Sequence, residues 1–261
     1  MIIIIISYNK IKIKIKIKIK MSDGINIDEF RENVKDIIES NLYENQIPII
    51  PNDHTFKRFL LAYNNDVQKS VKNYRKTIEW REINDIGDIS SEEEWDTIET
   101  NKSYLNHIKD KYGIPLEIFI YNEENVHHIK DKDNFVQKLI IENEMYYSKY
   151  KKMNEMGMII IYDFRKLYYN QVVKYIQYID SIKYALYILD TYYPGRGREI
   201  YIIGVSYLFS KIFNMVKEYI PNKTLNIINM YNYSKEELNT FIDDIATKVE
   251  DSQLFVETLN L

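Results

Sequence analysis

Four short apolar runs, separated by segments with helical periodicity, follow one another in the second half of this 261-residue chain. They constrain its fold more than any other feature, because each run has the length of a β-strand and each intervening segment could form a helix. Strands that alternate with helices predict an α/β domain with substantial parallel pairing. The runs are PLEIFIY (115–121), GMIIIYDF (157–164), REIYIIGV (198–205) and LNIINMY (225–231), and the helical segments are 134–153, 172–192 and 206–220.

The first half of the chain has helical periodicity instead and predicts a helical subdomain. One candidate helix spans residues 26–45. Residues 53–81 then predict two helices that meet at a tight corner, with Asp53 and Asp66 as their N-caps and an Asn-Asn turn between them.

The first twenty residues, MIIIIISYNKIKIKIKIKIK, are low-complexity sequence in which Ile and Lys alternate. An extended segment of this kind would place Ile on one face and Lys on the other, as in a cationic strand that contacts a membrane. The apolar run is too short for a secretory signal, so we expect a disordered tail or an upstream extension of a protein that starts at Met21. The predicted parts are the tail (1–20), the helical subdomain (21–105) and the α/β domain (106–261).

Composition narrows the classes of function. The chain has 39 acidic and 35 basic residues, and six of the lysines lie in the tail, so the remainder is clearly acidic, unlike a general nucleic-acid binder. It contains no cysteine, which excludes disulfides and cysteine-based zinc sites. No run of eighteen apolar residues is present, and no transmembrane helix is expected. We therefore expect a cytoplasmic protein without a nucleic-acid partner.

The helical corner could also be a DNA-binding motif, since its second helix carries several cationic side chains. A recognition helix projects such side chains into the major groove. The first helix is apolar, however, and the chain is acidic, so a packing scaffold is favoured. The cations are Lys69, Lys72, Arg75 and Lys76.

Three features invite an enzymatic or metal-binding interpretation. Residues 204–206 (GVS) lie between a strand and a helix, like the nucleophile elbow of an α/β-hydrolase, but Leu208 replaces the second glycine and all four histidines precede the serine. His127 and His128 are adjacent, so their side chains diverge instead of converging on a metal. Residues 194–199 (PGRGRE) precede a strand, whereas a dinucleotide-binding loop follows one. We expect no catalysis, no metal site and no cofactor.

A series of motifs, taken in chain order, resembles the CRAL-TRIO family of lipid-binding and lipid-transfer proteins. The helical corner is similar to that family's helical preface, residues 110–116 (DKYGIPL) to its D-x-x-G-x-P motif, and residues 157–163 to its G-x-x-x-x-x-D strand. The resemblance covers residues 27–245. The other matching residues are Asp53, Arg58, Phe59, Leu60, Ala62, Asp66, Val67, Trp80, Arg81, Tyr193, Pro194, Phe209, Lys217 and Thr224.

The resemblance implies a mixed, largely parallel sheet whose helices enclose an apolar lipid pocket behind a mobile gate helix, here residues 206–220. The apolar positions of that helix cover more than the stripe, roughly 100° wide, that one buried face requires. This favours contact with a ligand or bilayer as well as the core, although a simply well-buried helix would give the same pattern. The candidate ligand-binding residues are Ile118, Ile120, Ile160, Tyr162, Ile202, Leu208, Phe209, Ile212, Phe213, Val216 and Ile228, and the candidate headgroup contacts are Arg196 and Arg198.

The chain also departs from the phosphoinositide-binding members of that family. Those members carry an Arg-Lys pair where this chain has Tyr63 and Asn64, an acidic residue where it has Gly195, and a lysine where it has Ile227. The departures remove the cations expected to bind an inositol phosphate. We therefore predict no preference for phosphatidylinositol.

The sequence favours a non-enzymatic, monomeric carrier or sensor. It would bind a hydrophobic small molecule or a phospholipid in an internal pocket and exchange it through transient contact with a membrane surface. The alternative is a protein-interaction module of the same fold with a vestigial pocket. Lipid that co-purifies with the protein would distinguish the two.

Overall fold

The computed structural model describes residues 26–43, 46–86, 108–121, 132–149, 153–168, 173 and 177–260. The tail at 1–20 and three of the four histidines (His107, His127 and His128) lie outside the described residues, so the predictions made for the tail and for His127 and His128 are not tested here. None of the helices in the described ranges is both long and apolar enough to span a bilayer.

In the described residues of the N-terminal subdomain the α-helices are α1 (Ile27–Asn33), α2 (Lys35–Ser40), α3 (Asp53–Ala62) and α4 (Val67–Ile83). Their shared core is aromatic: the Phe30 and Phe56 rings stack at 4.7 Å, and Tyr74 meets both edge-on. The predicted corner between α3 and α4 is confirmed.

Two local predictions in this subdomain are wrong. The predicted helix at 26–45 is interrupted at Val34, whose φ of −123° is not helical and whose side chain is fully buried. The cap of α3 is Asn52, which accepts a hydrogen bond from the Thr55 amide at 3.0 Å, and Asp53 is the first helical residue. Asp66 does cap α4, as predicted.

In the described part of the α/β domain, four parallel strands form a sheet in chain order. Each strand falls within its predicted run or begins one residue before it, so the predicted α/β fold is confirmed. The described part of the sheet is parallel throughout, where the family resemblance implied a mixed sheet. The strands are β1 (Glu117–Ile120), β2 (Met158–Asp163), β3 (Gly197–Ile203) and β4 (Ile228–Tyr231). The α-helices in the described residues of this domain are α5 (Lys132–Lys149), α6 (Met153–Met156), α7 (Ile179–Tyr192), α8 (Tyr207–Val216), α9 (Asn222–Leu225), α10 (Lys235–Ala246) and α11 (Ser252–Leu259).

The strand order determines which helices cover which face. Right-handed crossovers between successive neighbouring strands place all connecting helices on one side of a sheet. The cores agree, because side chains of α5 and α7 pack with Met158 and Ile160 on one face, called the inner face here. Helices α10 and α11 follow the last strand and pack with Ile159 and Ile161 on the other, the outer face.

The helical subdomain is attached to the α/β domain through α4. The Trp80 ring stacks on Tyr192 of α7 with centroids 3.9 Å apart. Both Nη atoms of buried Arg81 donate to Glu144 of α5, at 2.7 and 2.8 Å, and the Tyr193 hydroxyl donates to the same carboxylate at 2.7 Å. The corner therefore scaffolds the sheet domain.

Candidate ligand site

The candidate ligand-binding residues on the strands divide between the two faces of the sheet. Ile160 pairs with Ile200, which pairs with Ile228, and Tyr162 pairs with Ile202. Residues in register share a face and neighbours along a strand alternate, so the four predicted residues of β2, β3 and β4 lie together on the inner face.

The two predicted residues of β1 lie on the opposite side. Ile118 is fully buried in the outer core, and Ile120 packs against the same cluster. Because alternation places Glu117 and Phe119 on the inner face instead, Ile118 and Ile120 cannot line a pocket with Ile160. The structure therefore separates these two residues from the other candidate residues of the sheet.

The two faces differ in how completely they are covered. On the outer face, Ile161 of β2 and Tyr201 of β3 have no accessible surface. On the inner face of the same central strands, Ile160 and Ile202 are buried, whereas Tyr162 and Ile200 are only half-buried. The inner face therefore retains some accessible apolar surface at Tyr162 and Ile200.

Tyr162 marks where this surface lies. Burial raises the pKa of Tyr162 to about 12, and the nearby Glu117 carboxylate acts in the same direction. The hydroxyl lies beside the Arg196 guanidinium. Tyr162 is therefore largely desolvated by its neighbours and retains some accessible surface.

Helix α8, the predicted gate, begins at a serine cap. Ser206 Oγ accepts a hydrogen bond from the Phe209 amide at 3.1 Å, so the serine that imitates a nucleophile elbow has a structural role here. Gly204 supplies the bend before it, with φ of 76°, and a Cβ there would lie 2.6 Å from the backbone nitrogen of Arg165.

The apolar residues of α8 differ in burial, as a broad apolar surface requires. Ile212 and Val216 are buried, and Leu208 packs beside Ile212. Phe209 contacts the Phe164 ring with centroids 4.5 Å apart, and Phe213 is half-buried.

Both candidate headgroup arginines have carboxylate partners. Arg196 is buried and pairs with Glu117. Arg198 pairs at 2.6 Å with Asp110, which also accepts two backbone amide hydrogens. A phosphate would have to displace a buried carboxylate from either cation, so a phosphate-binding role is not supported by these contacts.

Sequence reasoning missed a cleft of about 440 Å³ at the carboxyl ends of β2 and β3. Arg165 there is held by Asp163 at 2.7 Å and by the carbonyl oxygens of Leu259 and Asn260. Segments that follow parallel strands converge at one sheet edge, and that rule could have indicated the cleft. Its lining residues are Arg165, Leu167, Tyr168, Ser206, Tyr207, Leu208 and Tyr233.

Comparison with known proteins agrees with this architecture. The model of the CRAL/TRIO domain family matches residues 98–250. Among solved structures, the crystal structure of Sfh5 is similar with a TM-score of 0.61 and 13% sequence identity, over 80% of this chain and 81% of that one. At this identity the second similarity concerns the fold alone.

Proposed function

This chain belongs to the CRAL/TRIO domain family, and from that premise we propose that it is a carrier or sensor that holds a hydrophobic small molecule or phospholipid over the inner face of its sheet and exchanges it with membranes. The family's fold implies lipid binding or transfer. The position of the ligand and the route of exchange are the parts proposed for this chain.

The proposal rests on one observation, the partial exposure of two apolar side chains on the inner face of the central strands. Tyr162 and Ile200 lie on the two central strands and are half-buried, although α5, α7 and α8 are all on that side. An apolar surface left open at such a place is typical of a ligand site.

The energetics of exchange suit this arrangement. Each methylene group that leaves water contributes about 0.8 kcal/mol, and a bilayer provides nearly the same stabilisation. Transfer between protein and membrane is then close to neutral in free energy and needs only a matched cavity and a gate. Helix α8 is the proposed gate, and its exposed Tyr207 and Met215 offer amphipathic contacts to a bilayer surface.

The test is to fill the proposed space. Ile200→Trp adds a large side chain to the inner face and should abolish both co-purifying lipid, measured by mass spectrometry, and transfer of fluorescent phosphatidylcholine between vesicles. Leu254→Trp, at a partly exposed position of α11 behind the outer face, is the matched control and should preserve both.

Two results would contradict the proposal. The first is an Ile200→Trp protein that is folded by circular dichroism and transfers lipid normally. The second is a wild-type protein that carries no lipid and transfers none, which would favour the interaction module with a vestigial pocket.

A further inference from the structure

A buried ion pair interrupts the apolar inner face. Glu117, the first residue of β1, has no accessible surface, and Arg196, just before β3, is 5% exposed. Arg196 Nη2 donates a hydrogen bond to Glu117 Oε1. Burial raises the pKa of Glu117 and Arg196 opposes that effect, so each charge depends on the other. A buried pair of this kind is tolerated only when its remaining polar atoms are also satisfied.

Two atoms of the pair are not satisfied within the described ranges of the chain. Glu117 Oε2 and Arg196 Nε are both shielded from solvent and have no hydrogen-bond partner. Buried polar atoms without partners are uncommon, and each calls for a physical explanation. The pair offers one acceptor and one donor to a further group.

The ion pair borders the proposed ligand space. Tyr162 is the half-buried side chain that marks this space. Its hydroxyl lies beside Arg196, and the charge of Glu117 raises its pKa. Tyr147 of α5 also influences Arg196 from the opposite layer, and its own hydroxyl has no partner in the described structure. A ligand over the inner face would therefore bring its polar end to this group of side chains.

We propose that the Glu117–Arg196 pair selects a lipid whose polar end is a neutral hydroxyl group, as in a sterol, a fatty alcohol or a diacylglycerol. This inference rests on the proposed function and deepens it. A hydroxyl donates one hydrogen bond to Glu117 Oε2 and accepts one from Arg196 Nε, which matches the two free positions.

Other polar ends fit less well. A phosphate or ionised carboxylate would place a negative charge beside Glu117, which lies in a site without solvent screening. A quaternary ammonium group has no N–H to donate. An ester carbonyl only accepts, so it would satisfy Arg196 and leave Glu117 Oε2 unpaired.

The experiment compares three probes that share one pyrene-labelled chain: a fatty alcohol, its methyl ether and a phosphatidylcholine. Binding to the full-length protein is measured by pyrene fluorescence. The ether keeps the acceptor and loses only the donor, so we expect the alcohol to bind about tenfold more tightly than the ether. Phosphatidylcholine should bind more weakly than the alcohol.

A double variant identifies the pair as the cause. Glu117→Met with Arg196→Met removes both charges together and leaves neither unpaired. The preference for alcohol over ether should then disappear. The control is Glu199→Gln with Lys248→Met, which removes a partly exposed ion pair on the outer face and should keep the preference.

The possible results distinguish a failure of the proposed hydroxyl site from a failure of the proposed lipid-carrier function on which it rests. Equal binding of alcohol and ether, or tighter binding of phosphatidylcholine, overturns the hydroxyl site and leaves the lipid carrier intact. Failure of all three probes to bind overturns both. If the double variant does not fold, the comparison of alcohol and ether on the wild-type protein still decides.

Discussion

Gly195 stands where the phosphoinositide-binding members of the family carry an acidic residue, and its surroundings explain why no side chain is present. Its φ is 75°, and a Cβ would lie 2.7 Å from Cγ of the buried Arg58. We expect Gly195→Ala to lower the free energy of unfolding by about 2 kcal/mol, part from the left-handed backbone and part from the contact. Urea denaturation measures the loss.

Gly113→Ala separates the two contributions. Gly113 has a similar φ of 77°, but a Cβ there would meet its nearest neighbour, Glu250, only at 3.8 Å. This variant should lose about 1 kcal/mol, the conformational part alone. Equal losses at the two glycines would show that Arg58 does not restrict position 195.

The preference for a lipid headgroup also depends on single residues. With Tyr63, Gly195 and Ile227 in place of the expected polar side chains, and with Arg196 and Arg198 paired to buried carboxylates, we predict no preference for phosphatidylinositol over phosphatidylcholine. Competition between the two lipids in a vesicle assay tests this. Selective uptake of phosphatidylinositol would refute the prediction.

Among the secondary-structure elements, α8 allows the sharpest test because adjacent residues have different surroundings. Ile212 is buried in a core with Leu167, whereas Phe213 is half-buried on the surface assigned to ligand or membrane. Phe213→Asp should lower the free energy of unfolding by about 1 kcal/mol or less if the gate can turn this position toward water. Lipid transfer should nevertheless collapse. Circular dichroism and vesicle transfer are the two measurements.

The neighbouring substitution is the control for that prediction. Ile212→Asp places an unpaired charge in a packed core, which costs several kcal/mol and should unfold a marginally stable domain. Aggregation of Phe213→Asp, or a folded Phe213→Asp that still transfers lipid, would remove α8 from the role of gate.

The same elements show what the sequence could and could not predict. All four strands were predictable because their apolar runs are short and bounded, but the orientation of β1 was not. In LEIFIY the side chains of Ile118 and Ile120 form the more apolar face, which made them natural candidates for a ligand pocket. That face instead packs on α10 and α11, because strand alternation cannot tell which layer of helices covers which side.

The ion pair on the inner face lay beyond sequence reasoning for a different reason. Glu117 and Arg196 are 79 positions apart and meet only because β1 and β3 flank the same central strand. In the sequence, Arg196 lies in a segment with the pattern of a surface turn, where its cation would be available to bind a headgroup. Local sequence patterns indicate periodicity and helix caps. Which distant side chains meet depends on the strand register, and only the folded sheet defines that register.

At the scale of the whole molecule, the low-complexity tail is predicted to be dispensable. A chain that begins at Met21 should keep the melting temperature and the lipid content of the full chain, because a low-complexity segment of alternating Ile and Lys is expected to lie outside the packed core. Calorimetry and lipid mass spectrometry check the two quantities. A drop of several degrees would make the Ile/Lys segment part of the fold.

The helical subdomain and the α/β domain should unfold as one cooperative unit, because their junction is buried and charged. Arg81 and Glu144 join the predicted parts 21–105 and 106–261 with almost no exposed surface. Arg81→Met leaves Glu144 buried without its cation and should lower the free energy of unfolding by about 3–5 kcal/mol, while Arg81→Met with Glu144→Met should recover part of that loss. Urea transitions followed by tryptophan fluorescence, to which Trp80 at the junction and Trp95 both contribute, and by far-UV circular dichroism should coincide in all three proteins. Transitions that separate in the wild-type protein would mean that the two parts are independent domains, and that the ion pair only docks one on the other.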